Sequence, residues 1–371
     1  MAMVNPGTED ELAEAIRGAT GPLAVRGGGT RGIAAQGEVL SVAGLSGITL
    51  YDPGALTLVA RAGTPLAEVE AALAAENQRL AFEPMDHRGL MATDGAPTLG
   101  ALFAANISGP RRIQAGAARD FLLGVRFVDG AGRIVKNGGR VMKNVTGYDL
   151  VKLMAGAHGT LGVLSEVALK VLPCPETEAS LEIAVADPAA AVRALSAALG
   201  APFEVTGAAH DPARGVALLR IEGFAESVSY RLGRLEALLA PFGAVTRLEA
   251  AASAALWRDV RDVAAFHGQP GDVWRLSCKP SEAPEVAARL DAEALLFDWG
   301  GGLIWARMAP GSDLRVRAGR YDGHATLVRA APETVARLGR FDPQPAPLAA
   351  LAAGLRAKFD PRGILNPGLM G

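Results

Sequence analysis

An apolar run, Leu23 to Val25, leads without a break into Arg26-Gly27-Gly28-Gly29-Thr30-Arg31-Gly32. No other stretch restricts the fold as strongly. Consecutive glycines let the main chain come within hydrogen-bonding reach of a ligand with no Cβ in the way. The segment formally satisfies G-x-G-x-x-G, with the acidic Asp52 downstream, as a dinucleotide-binding Rossmann unit would. That unit also needs a long helix opening at the last glycine, its N-terminus facing the pyrophosphate. Here Ile33 to Val42 is interrupted by Gly37 and followed by Gly44 and Gly47, which is no helix. Two readings remain: a nest of successive backbone N–H groups around a diphosphate, or a tight turn between strands.

The surrounding pattern is α+β. Thr8 and Glu11 have capping-box spacing ahead of a helix with Leu12, Ala15 and Ile16 on one face. Leu56 to Ala62 reads as a strand. Thr64 is expected to cap a helix with Pro65 at its first position and Leu66, Val69 and Leu73 inward. Residues 83–97 read as a polar loop, Thr98 to Asn106 as a buried helical turn, and Phe121 to Val128 with Arg133 to Lys136 as a hairpin. A further strand, Gly162 to Leu172, closes at Pro173 and Pro175, where a domain boundary is expected. Of 45 glycines, 26 precede that boundary, so the ligand-approaching backbone is expected there. Beyond it, helices are predicted from Asp187-Pro188 and over 226–240, 253–266 and 283–291. Strands are predicted over 216–222, 272–277 and 302–308, with a turn at Asp298-Trp299-Gly300-Gly301-Gly302. An amphipathic helix is predicted over Pro347 to Phe359.

Composition excludes several classes. The 371 residues suffice for two cores. A net charge of −2 predicts no broad attraction to nucleic acid or anionic lipid. No apolar run reaches membrane-spanning length, and Met1 to Glu14 lacks the basic and apolar regions of a signal peptide. A cytoplasmic protein is expected, able to sit at the inner membrane only through partners. Two cysteines, Cys174 and Cys278, cannot hold an iron–sulfur cluster or a structural zinc, and no metal site is predicted.

The glycine loop does not stand alone. It is followed, in order, by Pro97-Thr98-Leu99-Gly100, Ala105-Asn106-Ile107-Ser108-Gly109, Gly116 and Arg119-Asp120. Gly147-Tyr148-Asp149-Leu150 and Gly159-Thr160-Leu161-Gly162-Val163 come next. This succession resembles the vanillyl-alcohol-oxidase, or FAD-linked oxidase, family. Finer details resemble the glycolate oxidase E subunits within it: Glu83-Pro84, Ser108 to Arg112, Val141-Met142-Lys143-Asn144-Val145, Val273 to Ser277, Asp298 to Gly301 and Gly323-His324-Ala325-Thr326. The resemblance implies a two-subdomain PCMH-type FAD-binding domain over 1–175 and an α+β cap or substrate domain over 176–330. A C-terminal segment, 331–371, would return to the flavin. It implies that Arg26, Gly27, Gly28, Gly29, Thr30, Arg31 and Gly32 hold the FAD diphosphate. Pro97, Thr98, Leu99, Gly100, Ala105, Asn106, Ser108, Gly109 and Gly116 would wrap flavin and diphosphate. Gly159, Gly162 and Val163 would meet the adenosine end, and Asn366 would either reach the flavin or cap its own turn. Arg31 stands where many relatives carry serine. The glycine loop contains no His or Cys, so non-covalent FAD is expected. A larger FAD-linked subunit and an iron–sulfur subunit are the implied partners.

Flavin oxidation of a 2-hydroxy acid needs a cation for the carboxylate and a base for the hydroxyl proton, the cofactor supplying the redox chemistry. Arg275 is the candidate cation, since guanidinium binds carboxylates bidentately; the alternative is a surface arginine on a strand. His324 is the candidate base; the alternative is a hydrogen-bonded structural histidine. His87 reads as a polar loop residue and His158 as packing near the adenosine end. Three functions stay open: an FAD-binding subunit of a complex oxidising glycolate or a related 2-hydroxy acid, a self-sufficient oxidoreductase, and a structural or regulatory subunit with a vestigial FAD site.

Overall fold

The computed structural model describes residues 3–33, 35–140 and 147–370; the Val141 to Val145 motif lies outside them. Thr8 caps the first helix, Glu9–Gly18: its hydroxyl accepts from the Glu11 amide at 3.2 Å, and the Glu11 carboxylate accepts from Gly7 N at 2.8 Å. Leu12, Ala13 and Ile16 are the buried face. They pack on a small parallel sheet ordered Met3–Val4, Glu38–Ser41, Leu23–Arg26. The glycine loop leaves the end of Leu23–Arg26. The next regular element is the strand Glu38–Ser41, so no helix opens at Gly32.

A five-stranded antiparallel sheet follows, ordered Ile48–Asp52, Thr57–Arg61, Val163–Lys170, Leu122–Val128, Ile134–Gly138. Helices Leu66–Ala75 and Leu99–Ala104 bury Leu66, Val69, Leu73, Leu99 and Phe103 against it. One expectation is corrected here. The cap position of Leu66–Ala75 is Pro65, not Thr64. The buried Thr64 hydroxyl donates to the Arg61 carbonyl at 2.7 Å and accepts from Gly47 N at 3.0 Å, so it staples two loops instead. Residues 83–97 also contain a short helical turn, Arg88–Met91.

The second half forms one eight-stranded antiparallel sheet. Its order is Val245–Leu248, Thr177–Ala184, Val216–Gly223, Gly207–Asp211, Ala294–Asp298, Leu303–Met308, Asp272–Cys278, Gly323–Arg329. Helices Pro188–Leu199 and Ala225–Leu239 cover one part; Ala283–Leu290 and Leu314–Ala318 cover the other. Asp187 caps Pro188–Leu199 through the amides of Ala189 and Ala190, as its position before proline predicts.

The chain then returns to the first half. Leu23 N donates to Ile364 O at 2.8 Å and Asn366 N donates to Leu23 O at 3.0 Å, while Ile364 and Leu365 join the core of Leu12, Ile16 and Leu40. The helix Ala346–Phe359 that precedes this return differs from expectation: none of its residues is buried, and Leu348, Leu351 and Leu355, which share one face, are exposed. Phe359, half-buried against Phe127 at 6.1 Å between ring centres and accepting from Gly130 N through its carbonyl, ties its end down. Among the described residues no helix is long and apolar enough to cross a membrane.

Candidate functional site

Two cavities open between these parts and share Arg31, Ile33, Ala105 and His158 as a common wall. The first, of about 310 Å³, is lined largely by backbone and small side chains. Arg26, Gly27, Gly29, Thr30, Arg31, Gly100, Ala105, Gly159, Gly162, Val163 and Asn366 all face it. Among the described residues, the amides of Gly27, Gly28, Gly29 and Thr30 find no acceptor. Four neighbouring free donors at the end of a strand form a concavity suited to phosphate oxygens. Close packing keeps the loop there. A Cβ on Gly28 would lie 1.6 Å from the Ala96 carbonyl oxygen, and one on Gly27 would lie 2.3 Å from Thr98 Oγ1. Gly29 has φ +72°, open to glycine and strained for other residues. Arg31, which lines this cavity, has a buried Nε without a partner, the signature of a polar group awaiting a ligand. The residues present therefore fit a dinucleotide diphosphate.

Other predicted residues sit apart from both cavities. Gly28, Gly32, Pro97, Thr98, Leu99, Gly109 and Gly116 line neither. The Pro97 carbonyl accepts from Leu66 N, Leu99 is core, and the Gly109 carbonyl accepts from Trp299 Nε1 at 3.1 Å. Gly116, at φ +98°, ends the turn Arg112–Ala115. Asn366 faces the first cavity, but its side chain is engaged: Oδ1 accepts from Val25 N at 2.8 Å and Nδ2 donates to His158 O at 2.9 Å. It joins the C-terminal return to the two loops that border the cavity.

The second cavity, of about 380 Å³, is lined by side chains. Antiparallel pairing explains which ones. Ser277 pairs with His324 and Arg275 with Thr326, so these four project from one face of the sheet. Leu276 and Ala325, one residue out of phase, are buried on the other face. All four line the cavity with Asn106, Ser108, Arg112, Trp299 and Trp305. Arg275 and His324 are thus brought together, 49 positions apart in the chain.

Its electrostatics are one-sided. Arg31, Arg112, Arg275 and Arg340 line the cavity, and no Asp or Glu does. Burial holds the Arg31 and Arg275 guanidiniums down at about 10, with neighbouring arginines adding to the effect. The nearest buried carboxyl, Asp298, lies behind Trp299, accepts from its amide at 2.7 Å, and is pushed up by burial to about 7. His324 is exposed at the rim; partial desolvation and then the Arg275 charge lower its pKa. His87 and His158 are held down at about 3, by burial first and by Arg31 second. Sequence reasoning placed His87 in a polar loop; it is buried and lines the cavity. Arg112 stacks on Trp299 with its guanidinium carbon 4.6 Å from the ring centre. Arg111 is elsewhere, spent on Glu83 and Glu222.

Residues 1–138 match the family described as FAD binding domain. Over its whole length the chain resembles the solved structure of alkyldihydroxyacetonephosphate synthase, with a TM-score of 0.71 at 16% identity, covering 99% of this chain and 76% of that one. That likeness shows the α+β, PCMH-type fold. Over 47% of this chain and 37% of its own length, D-2-hydroxyglutarate dehydrogenase of Xanthomonas citri pv. viticola is 33% identical. Glycolate oxidase subunit GlcE of Escherichia coli K12 is 36% identical across 97% of this chain and 95% of its own. With an FAD binding domain at its start and that likeness along almost the whole of both chains, the protein belongs to the glycolate oxidase E-subunit family of FAD-linked oxidoreductases.

Proposed function

We propose that the chain is the FAD-binding subunit of a glycolate oxidase complex, oxidising glycolate or a related 2-hydroxy acid to the 2-oxo acid. The observation that carries this reading is the shared wall between a backbone-lined phosphate cradle and an arginine-rich cavity holding Arg275 and His324. The amides of Gly27 to Thr30 with Arg31 would hold the FAD diphosphate. Gly159, Gly162 and Val163 would meet the adenosine end, and Asn106 and Ser108 would border the flavin. When bound, the flavin supplies the hydride acceptor.

The protein's part is binding and proton transfer. Arg275 takes the substrate carboxylate, its guanidinium fixed over Trp299 with its carbon 4.9 Å from the ring centre. His324, kept neutral at pH 7 by its lowered pKa, accepts the hydroxyl proton. The two roles are coupled. A carboxylate on Arg275 offsets the positive charge that depresses His324, so the base strengthens as substrate arrives. As the resemblance to glycolate oxidase E subunits implies, electrons leave through an iron–sulfur partner subunit, beside a larger FAD-linked subunit; the chain's own two cysteines could not hold such a cluster. The FAD is non-covalent, since the glycine loop offers no His or Cys.

Acid precipitation of the purified chain tests the cofactor reading: the yellow colour should move to the supernatant as FAD. Colour left in the pellet would overturn the non-covalent reading and point to His87 or His158, which line the second cavity. Glycolate-dependent reduction of an artificial acceptor by the complex should be abolished by His324→Gln. Full turnover in that variant would remove His324 from the chemistry.

A further inference from the structure

Arg112 and Arg275 share one indole. Their guanidinium carbons lie 4.6 and 4.9 Å from the centre of Trp299, so the two cations stand within two stacking distances of each other. Among the described residues, neither side chain makes an ion pair or a hydrogen bond. The nearest acids are otherwise engaged. Asp120 pairs with Arg119 at 3.7 Å and accepts from Ala117 N at 2.8 Å, and Asp298 lies buried behind Trp299. Like charges this close, partly desolvated and without counterions, are costly unless a ligand supplies the missing negative charge.

The other two arginines of the cavity have their own tasks. Arg31 also lines the first cavity, beside the phosphate cradle, and Arg340 donates to the carbonyls of Leu327, Val328 and Gly32. Arg112 and Arg275 line only the second cavity, so the diphosphate does not account for them. A monocarboxylate on Arg275 would leave Arg112 unpaired against it. Trp299 itself is pinned by its Nε1–H to the Gly109 carbonyl, so the indole on which both cations rest is held in place before any ligand enters.

We infer that this site is built for a 2-hydroxydicarboxylate: Arg275 takes the carboxylate beside the reacting hydroxyl, and Arg112 takes the second carboxylate. This rests on the proposal that the cavity binds a 2-hydroxy acid. Arg112 is then the residue that sets substrate class, and glycolate engages only half of the pair.

The test is a titration of the FAD-loaded full chain with glycolate, tartronate and malate, read as perturbation of the flavin absorbance. A dicarboxylate should bind at least about tenfold tighter than glycolate, as one added charge-assisted pair implies. In Arg112→Met that ratio should fall to about one, and in Arg275→Met both ligand types should weaken. Arg112→Gln, which keeps a planar group against Trp299, should lose the preference as well; retained flavin absorbance shows that either variant is folded. Equal affinities in the wild type, or a preference that survives Arg112→Met and Arg112→Gln, would overturn the inference and leave the 2-hydroxy-acid reading intact. If FAD binds but no 2-hydroxy acid of either kind perturbs its spectrum, the functional reading itself fails.

Discussion

Two groups of arginines lie on either side of the same loop, and they are built on opposite rules. Arg220 is buried and forks onto Glu83 at 2.8 and 2.9 Å; Arg111 holds Glu222 at 2.9 Å and Glu83 at 3.1 Å; Arg79 also meets Glu222. Every cation there has a carboxylate, and burial is tolerated because each charge is matched. These residues come from both halves of the chain, so the network fastens Arg79, Glu83 and Arg111 to the eight-stranded sheet. Around Trp299, Arg112 and Arg275 form no ion pair among the described residues. Neighbouring sequence does not distinguish the groups, for Arg111 belongs to one and Arg112 to the other. Counter-charge does: matched arginines hold the structure, and unmatched ones await a ligand.

The largest effect should come from breaking the matched group. Arg220→Met strands Glu83 and Glu222 as buried, undercompensated carboxylates. A loss of about 3–5 kcal/mol of unfolding free energy is expected, measurable by urea denaturation. A loss below about 1 kcal/mol would mean that the network does not carry the junction.

Acid separates the two regions by pH. His87 and His158 have folded pKa values near 3, below the unfolded value of roughly 6.5, so the unfolded chain binds more protons as pH falls. Their contribution is complete above about pH 6.5 and is lost on acidification towards 3. Each should cost about 1 kcal/mol between pH 6.5 and 5.5. Glu83 and Glu222 are held below the ordinary carboxylate range, chiefly because the Arg220 and Arg111 charges outweigh the opposing effect of burial. Their contribution is complete above the unfolded value of roughly 4.3 and is lost only below it. Stability followed against pH should therefore fall in two stages. In His87→Gln the upper stage should shrink while the lower one stays; an unchanged upper stage would assign it to other groups.

Arg275→Met should invert the behaviour of Arg220→Met. Removing an unmatched, desolvated cation should leave stability unchanged or raise it by up to about 1 kcal/mol, while weakening substrate binding. A thermal scan showing Arg275→Met to be as damaging as Arg220→Met would erase the distinction between the groups.

The contrast also explains what could be read from the chain. The first cavity is made by contiguous residues whose backbone does the work, so Gly27-Gly28-Gly29-Thr30 and Gly159 to Val163 announce it locally. The second is made by faces. Arg275 and His324 meet only because Ser277 pairs with His324, and antiparallel register between distant strands is not written in either strand alone. One signal was available and overlooked: Arg220 interrupts the apolar strand Val216–Gly223 at a buried position, and a charge there demands a partner. Thr64 misled for a different reason. Threonine before proline is a common helix start, but burial turned its hydroxyl to Gly47 and Arg61.

The smallest effect concerns the helix that pattern alone described least well. Leu348, Leu351 and Leu355 fall on one face of Ala346–Phe359, so the sequence predicts an amphipathic helix, yet they are 55, 66 and 39% exposed. A leucine that buries little surface contributes little to folding. Leu351→Glu should therefore change the unfolding free energy of the isolated chain by no more than about 0.5 kcal/mol. Phe359→Ala, at the one anchored end against Phe127, should cost more. If Leu351→Glu were the more damaging, the helix would have to lie against the protein in solution, and the periodic reading would be restored.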